Sequence, residues 1–174
     1  MKIISFFRNT VINNHLLICI IVLVQMYGCY SFTGGSIPEH LKTLYLSSVN
    51  DNSGYGDPRY RENLYQLLID KFKNDNSFNL VQQSADARLN VQISSIRDET
   101  LTVRPGELET ERKATVSCEV EYYDAVKKIQ IFKKSFSAYN VYSLANSQTE
   151  RNLAITKALD QISDDIMLAV VSGW

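Results

Sequence analysis

Ala114-Thr115-Val116-Ser117-Cys118-Glu119-Val120-Glu121-Tyr122 alternates without a break: even positions are apolar or weakly polar, odd positions are polar or charged. A period of two is the signature of a β-strand with one buried and one wet face. One-faced strands of this kind belong to antiparallel or mixed sheets covered on a single side. The alternation also disposes of Cys118, which falls on the inward set. A small buried thiol there is a packing residue rather than a nucleophile. Upstream, Ala87 to Ile93 repeats the pattern with its odd positions apolar (Ala87, Leu89, Val91, Ile93). Downstream, Ile129 to Tyr139 returns across an Asp124 to Lys128 turn. Its alternation slips near Ile131-Phe132, which predicts a β-bulge.

Two helices flank these strands. Asp57-Pro58 opens the first, with Asp as N-cap and Pro at the first helical position. Leu64, Leu67, Leu68 and Phe72 form its apolar face, and the polar stretch Lys73 to Ser77 ends it. Ser147-Gln148-Thr149-Glu150 fits a capping box for the second. There Ile155, Leu159, Ile162, Ile166 and Val170 recur at helical spacing, while Asp160, Asp164 and Asp165 face away. Leu41 to Val49 reads as a first strand, Asn50 to Gly56 as a loop, and Phe78 to Val81 as a candidate short strand. The expected fold is α+β: a two-layer sandwich, with a mostly antiparallel sheet of about four strands packed against two helices.

The N-terminus reads differently. Lys2 and Arg8 precede an apolar run of nine residues, Leu16 to Val24, and no acidic residue occurs before Glu39. A membrane-spanning helix needs roughly 20 apolar residues, so the run fits the core of a secretory signal. Met26-Tyr27-Gly28-Cys29 resembles a bacterial lipobox, with Tyr27 bulkier than usual. The expected organisation is a signal peptide over 1–28, a lipid-anchored leader over 29–40 with Cys29 carrying the lipid, and a single α+β domain over 41–174. Acyl chains on Cys29 contribute about 0.8 kcal/mol per buried CH₂, enough in pairs for stable anchoring. Tyr30 rather than Asp follows the cysteine, so the expected address is the periplasmic side of the outer membrane. Removing the signal takes Lys2 and Arg8, so 18 basic residues become 16 against 19 acidic. A mature charge of about −3 gives no case for nucleic-acid binding. With Cys19 in the signal and Cys29 acylated, Cys118 has no disulfide partner.

No catalytic constellation emerges. His40 is the one histidine after the signal and lacks a Cys or His companion in sequence. Gly34-Gly35 reads as a turn rather than a phosphate loop. Glu107, Glu109 and Glu111 read as a solvated loop before a catalytic pair. The expectation is a non-enzyme with no metal and no cofactor. Binding features are richer. Arg97 and Arg104 bracket a hairpin tip centred on Arg104-Pro105-Gly106, and Lys127-Lys128 and Lys133-Lys134 mark the next hairpin. Such cations either grip phosphate or carboxylate groups or simply solubilise exposed strands. Tyr122, Tyr123, Tyr139 and Tyr142 add candidate aromatic surface.

The leader Cys29-Tyr30-Ser31-Phe32-Thr33-Gly34-Gly35-Ser36-Ile37-Pro38 and the stretch from Glu150-Arg151-Asn152-Leu153-Ala154-Ile155 to Trp174 resemble LptE-type lipopolysaccharide-assembly lipoproteins of the Bacteroidetes kind. The resemblance implies a small sheet covered by two helices. It also implies a partner, the outer-membrane translocon barrel LptD, inside which such proteins sit and assist assembly, and it implies contact with lipopolysaccharide. Family members carry a basic residue in a strand-connecting loop and another on the next strand. Arg104 matches the first, and Lys133 or Lys134 falls near the second. The alternative class is an envelope lipoprotein that activates a periplasmic enzyme such as a peptidoglycan synthase. Those proteins usually carry a long tether, and here the turn-rich leader after Cys29 is only about nine residues, Tyr30 to Pro38.

Overall fold

The computed structural model describes residues 37–101 and 110–172. The signal peptide, Cys29 and the Arg104 tip therefore lie outside the described residues. In order, the elements are β1 (Thr43–Leu46), β2 (Asn50–Asp51), α1 (Pro58–Asp75), β3 (Asn79–Leu80), β4 (Ala87–Thr100), β5 (Glu111–Asp124), β6 (Ile129–Ser143) and α2 (Ser147–Ser172).

The fold is α+β with two helices, but the sheet is mixed and has six strands rather than a mostly antiparallel four. Its order is β3-β1-β4-β5-β6, with β2 also paired to β4. β4, β5 and β6 form the antiparallel meander expected from their hairpin connections. β1 runs parallel to β3 and β4, and β2 parallel to β4. The chain leaves β1 and returns as β3 only after α1, and a helical crossover restores the original direction. The expected strand Leu41 to Val49 is shorter as β1. The expected loop contributes β2, so one interrupted line follows β4: Ser47 N–H donates to Leu89 O at 3.0 Å and Asn52 N–H to Ile93 O at 2.9 Å.

Burial follows the alternation. Ala87, Leu89, Ile93, Ala114, Val116, Cys118, Val120 and Tyr122 are all fully buried. They join Leu64, Leu68 and Phe72 of α1 and Ile155, Leu159, Ile162, Ile166 and Val170 of α2 in one core. Both helices thus cover one face and leave the other open. The expected bulge is present: Tyr122 pairs with Phe132 and Tyr123 with Gln130, leaving Ile131 unpaired. A second bulge skips Ser94 of β4 and keeps Ile96 on the buried face.

Asp57 caps α1 by accepting from Arg59 N–H, Pro58 opens it, and Asn76 closes it at φ 59°. The capping box of α2 is shifted, because the helix already includes Ser147 and Glu150 N–H bonds to Asn146 O at 3.1 Å. Lys71 of α1 reaches Asp160 and Asp164 of α2 at 3.0 and 2.6 Å and ties the helices together. Among the described residues, no helix is long and apolar enough to cross a membrane.

Candidate functional site

The long β4–β5–β6 meander positions the candidate cations, and its register separates them. Residues 102–109, which include Arg104, join β4 to β5 at the end where Thr100 pairs with Arg112. Lys133 pairs with Glu121 and Lys134 with Val120. Glu121 lies nine residues along β5 from Arg112, and at ~3.3 Å per residue this puts the lysines roughly 30 Å from that end of the ladder. Neighbouring residues of a strand face opposite sides of the sheet. Lys133 lies on the open face, where its Nζ donates to Glu121 Oε1 at 2.6 Å, and that hydrogen bond raises its pKa. Lys134 lies on the helix side, exposed at the sheet edge, with Nζ 4.9 Å from the Phe132 ring.

The ladder end where Thr100 pairs with Arg112 has its own charges, of which the sequence singled out Arg97 alone. On the open face Lys113 donates to Glu99 at 2.6 Å and stands 5.0 Å over the Tyr139 ring, next to exposed Arg97. Tyr139 and Val141 are 61% and 40% exposed. On the helix side Arg151 of α2 grips Asp98 of β4, its Nε 2.9 Å from both carboxylate oxygens. Its guanidinium lies 4.5 Å over the Tyr55 ring, and Tyr142 Oη donates to Asp98 at 3.1 Å. Of the four tyrosines expected at the surface, Tyr139 alone is broadly exposed. Tyr122 and Tyr142 are buried and Tyr123 half-buried, because their register positions turn them toward the helices or the strand neighbours.

At the opposite end His40 Nε2 lies 2.7 Å from buried Asp124 Oδ2. Burial opposes ionisation of Asp124, but the Lys127 N–H and His40 outweigh it and lower its pKa. Asp86 accepts from Thr43 Oγ1 at 2.8 Å and from the Thr43 and Lys42 N–H groups, which lower its pKa. His40 thus serves as a fastener for the chain leading into β1. Desolvation pushes the Cys118 thiol up to about 12, as its inward position requires. Among the described residues, no group of three or more His, Cys, Asp and Glu side chains converges.

A family model described as LptE, lipopolysaccharide-assembly, matches residues 41–170. The chain belongs to the LptE family. Its general role is therefore that of a lipopolysaccharide-assembly lipoprotein of the Gram-negative envelope, in a family that is not enzymatic. No curated protein matches the sequence. Solved structures share the fold at low identity. The rare lipoprotein B of Shewanella oneidensis is 18% identical with a TM-score of 0.52, covering 72% of this chain and 92% of that one. The minor lipoprotein of Acinetobacter baumannii is 12% identical at TM-score 0.52, covering 75% and 92%. A hypothetical protein of Chlamydia trachomatis is 10% identical at TM-score 0.53, covering 74% and 97%. This LptE-family domain keeps the helices on one side and leaves a long, polar sheet face open on the other.

Proposed function

We propose that the protein is anchored through acylated Cys29 to the periplasmic side of the outer membrane, and that it seats within an LptD-like translocon barrel. There it supports barrel assembly and the insertion of lipopolysaccharide. The observation that carries this reading is the LptE match over nearly the whole described domain. The open sheet face supports it physically. Its outward residues run Arg88, Asn90 and Gln92 on β4, Thr115, Ser117, Glu119 and Glu121 on β5, and Ser135 and Ser137 on β6. A polar face of this kind suits the polar interior of an outer-membrane barrel.

Arg104, Lys133 and Lys134 remain the proposed contacts with lipopolysaccharide, as separate contacts rather than one cluster. Arg104 belongs to residues 102–109, which join β4 to β5, while the lysines pair far from that end of the ladder and on opposite faces. The deciding experiment is an affinity pull-down of the tagged full-length protein from detergent-solubilised outer membrane. Recovery of a large β-barrel in about equal amount is expected. Recovery of a periplasmic synthase without a barrel would replace this reading with the activator one.

A further inference from the structure

The open face of the sheet carries a depression of about 410 Å³, and of its lining the cation reading uses Lys133 alone. Its floor is four side chains on two neighbouring rungs. Asn90 pairs with Glu121 and Gln92 with Glu119, so β4 supplies two amides and β5 two carboxylates. Asn50 of β2 stands beside Gln92, and Lys133 of β6 beyond Glu121. Ser47 and Ser48 complete the rim. The chain neighbours of the floor residues, Leu89, Val91, Ile93, Cys118 and Val120, are buried on the other face, which turns the whole set outward.

The volume falls within the range of about 300–1,000 Å³ typical of small-molecule sites, but the lining is the reverse of the usual apolar one. Every outward side chain of the basin is polar or charged, so an acyl chain or an aromatic ring finds nothing to bury against. Two carboxylates against one ammonium make the basin net acidic, and that ammonium is already engaged with Glu121 at 2.6 Å. Phosphate and carboxylate groups are therefore disfavoured by like charge. What remains is hydrogen-bonding capacity. Among the described residues, the side chains of Asn50, Asn90 and Gln92 make no hydrogen bond, and each offers an amide donor pair and a carbonyl acceptor. Glu119 adds an acceptor-only carboxylate with two oxygens. Amides and carboxylates at rung spacing match the alternating hydroxyl donors and acceptors of a sugar ring.

We propose that this basin binds an uncharged carbohydrate, with Asn90, Gln92 and Glu119 contacting its hydroxyls and the Glu121–Lys133 pair forming its wall. The basin lies on the face that the translocon reading turns toward the barrel interior, but binding by the protein free of any barrel does not depend on that reading or on Arg104. Its open geometry implies weak binding, with a dissociation constant on the order of 1 mM. The test is saturation-transfer NMR on the full lipidated protein in a detergent without a sugar head group, with maltotriose as the probe. Transfer to the sugar protons is expected from the parent. The Asn90→Ala/Gln92→Ala double variant should weaken binding at least tenfold, and Lys157→Ala, at an exposed position of α2 on the other side of the sheet, should leave it unchanged. Charge gives a second readout that does not depend on deleting contacts. Glucose should bind better than glucose 6-phosphate, and Glu119→Gln should narrow that difference. No transfer at about 20 mM maltotriose, some twenty times the expected constant, would overturn the proposal. So would equal transfer in the folded double variant, or a preference for the phosphorylated sugar.

Discussion

Asp86 and Asp124 show how much a single carboxylate does at the N-terminal edge of this domain. Asp86 holds β1 through Thr43 and Lys42, and Asp124 holds His40. Both have pKa values lowered by folding. The unfolded chain therefore binds protons more readily than the folded one, and stability must fall as the solution is acidified. Their contribution is complete above the ordinary carboxylate value near pH ~4 and is lost as pH drops through the folded values. Thermal melts between pH 7 and pH 3 should show the decline in the parent. Asp86→Asn should melt lower than the parent at pH 7 and lose less on acidification; a curve parallel to the parent's would remove Asp86 from the account. Cys118 was legible from alternation alone, and its burial predicts no maleimide labelling of the folded protein. His40 was not legible as a fastener, since its partner lies 84 residues away and no local pattern links them. The lipobox reading has its own test: Cys29→Ser should abolish incorporation of labelled palmitate and leave an unprocessed precursor.

The elements legible in the sequence were those long enough to express a period. Both helices, the three long strands and the Ile131 bulge were readable because seven or more residues repeat one spacing or visibly break it. β2 and β3 are two residues each; Phe78 to Val81 reads as a candidate short strand and contains β3, whereas Asn50 to Gly56 reads as a loop and hides β2. No alternation exists in two residues, and their pairing is imposed by β1 and β4. Parallel pairing was missed for a related reason: it follows from the path through α1, not from any residue type. The same distinction governs stability. Leu159 is fully buried in α2. Leu159→Asp should cost about 4 kcal/mol or more, because an unpaired charge is placed in the core. Differential scanning calorimetry would read it. The Arg151–Asp98 pair is softer, with side chains 14% and 24% exposed, and it joins α2 to the outer half of β4. Either Arg151→Ala or Asp98→Ala should cost about 1–2 kcal/mol, and the double variant little more than one of them. Fully additive losses would show that the two side chains do not act as a pair.

At the scale of the whole molecule, the meander is a ruler that keeps charges apart. The sequence placed Arg104, Lys133 and Lys134 in adjacent hairpins and left the impression of one cationic patch. Register removes that impression, because spacing along a chain carries no information about which strand end or which sheet face a residue occupies until pairing is known. The proposed lysine contacts therefore lie far from the ladder end that residues 102–109 join. Sites more than about 10 Å apart with no shared partner contribute independently. A charge-assisted hydrogen bond is worth roughly 1.5–3 kcal/mol, so Arg104→Glu should lower lipopolysaccharide affinity at least tenfold by itself. Lys134→Glu should act on a separate contact, so the combined variant should show both losses side by side rather than one affinity lowered by the product of the two factors. Lys133→Ala should cost less than Lys134→Ala, because the Lys133 ammonium already serves Glu121. These substitutions are exposed or in the loop, so melting temperatures should stay close to the parent's. Binding of labelled lipopolysaccharide to each folded variant measures the factors directly. Unchanged affinity in Arg104→Glu would end the direct-contact role of the tip and leave the domain a structural component of the translocon. A single affinity lowered by the product of both factors would mean that one ligand bridges both ends, which a ladder of roughly 30 Å permits only for an extended or aggregated lipid.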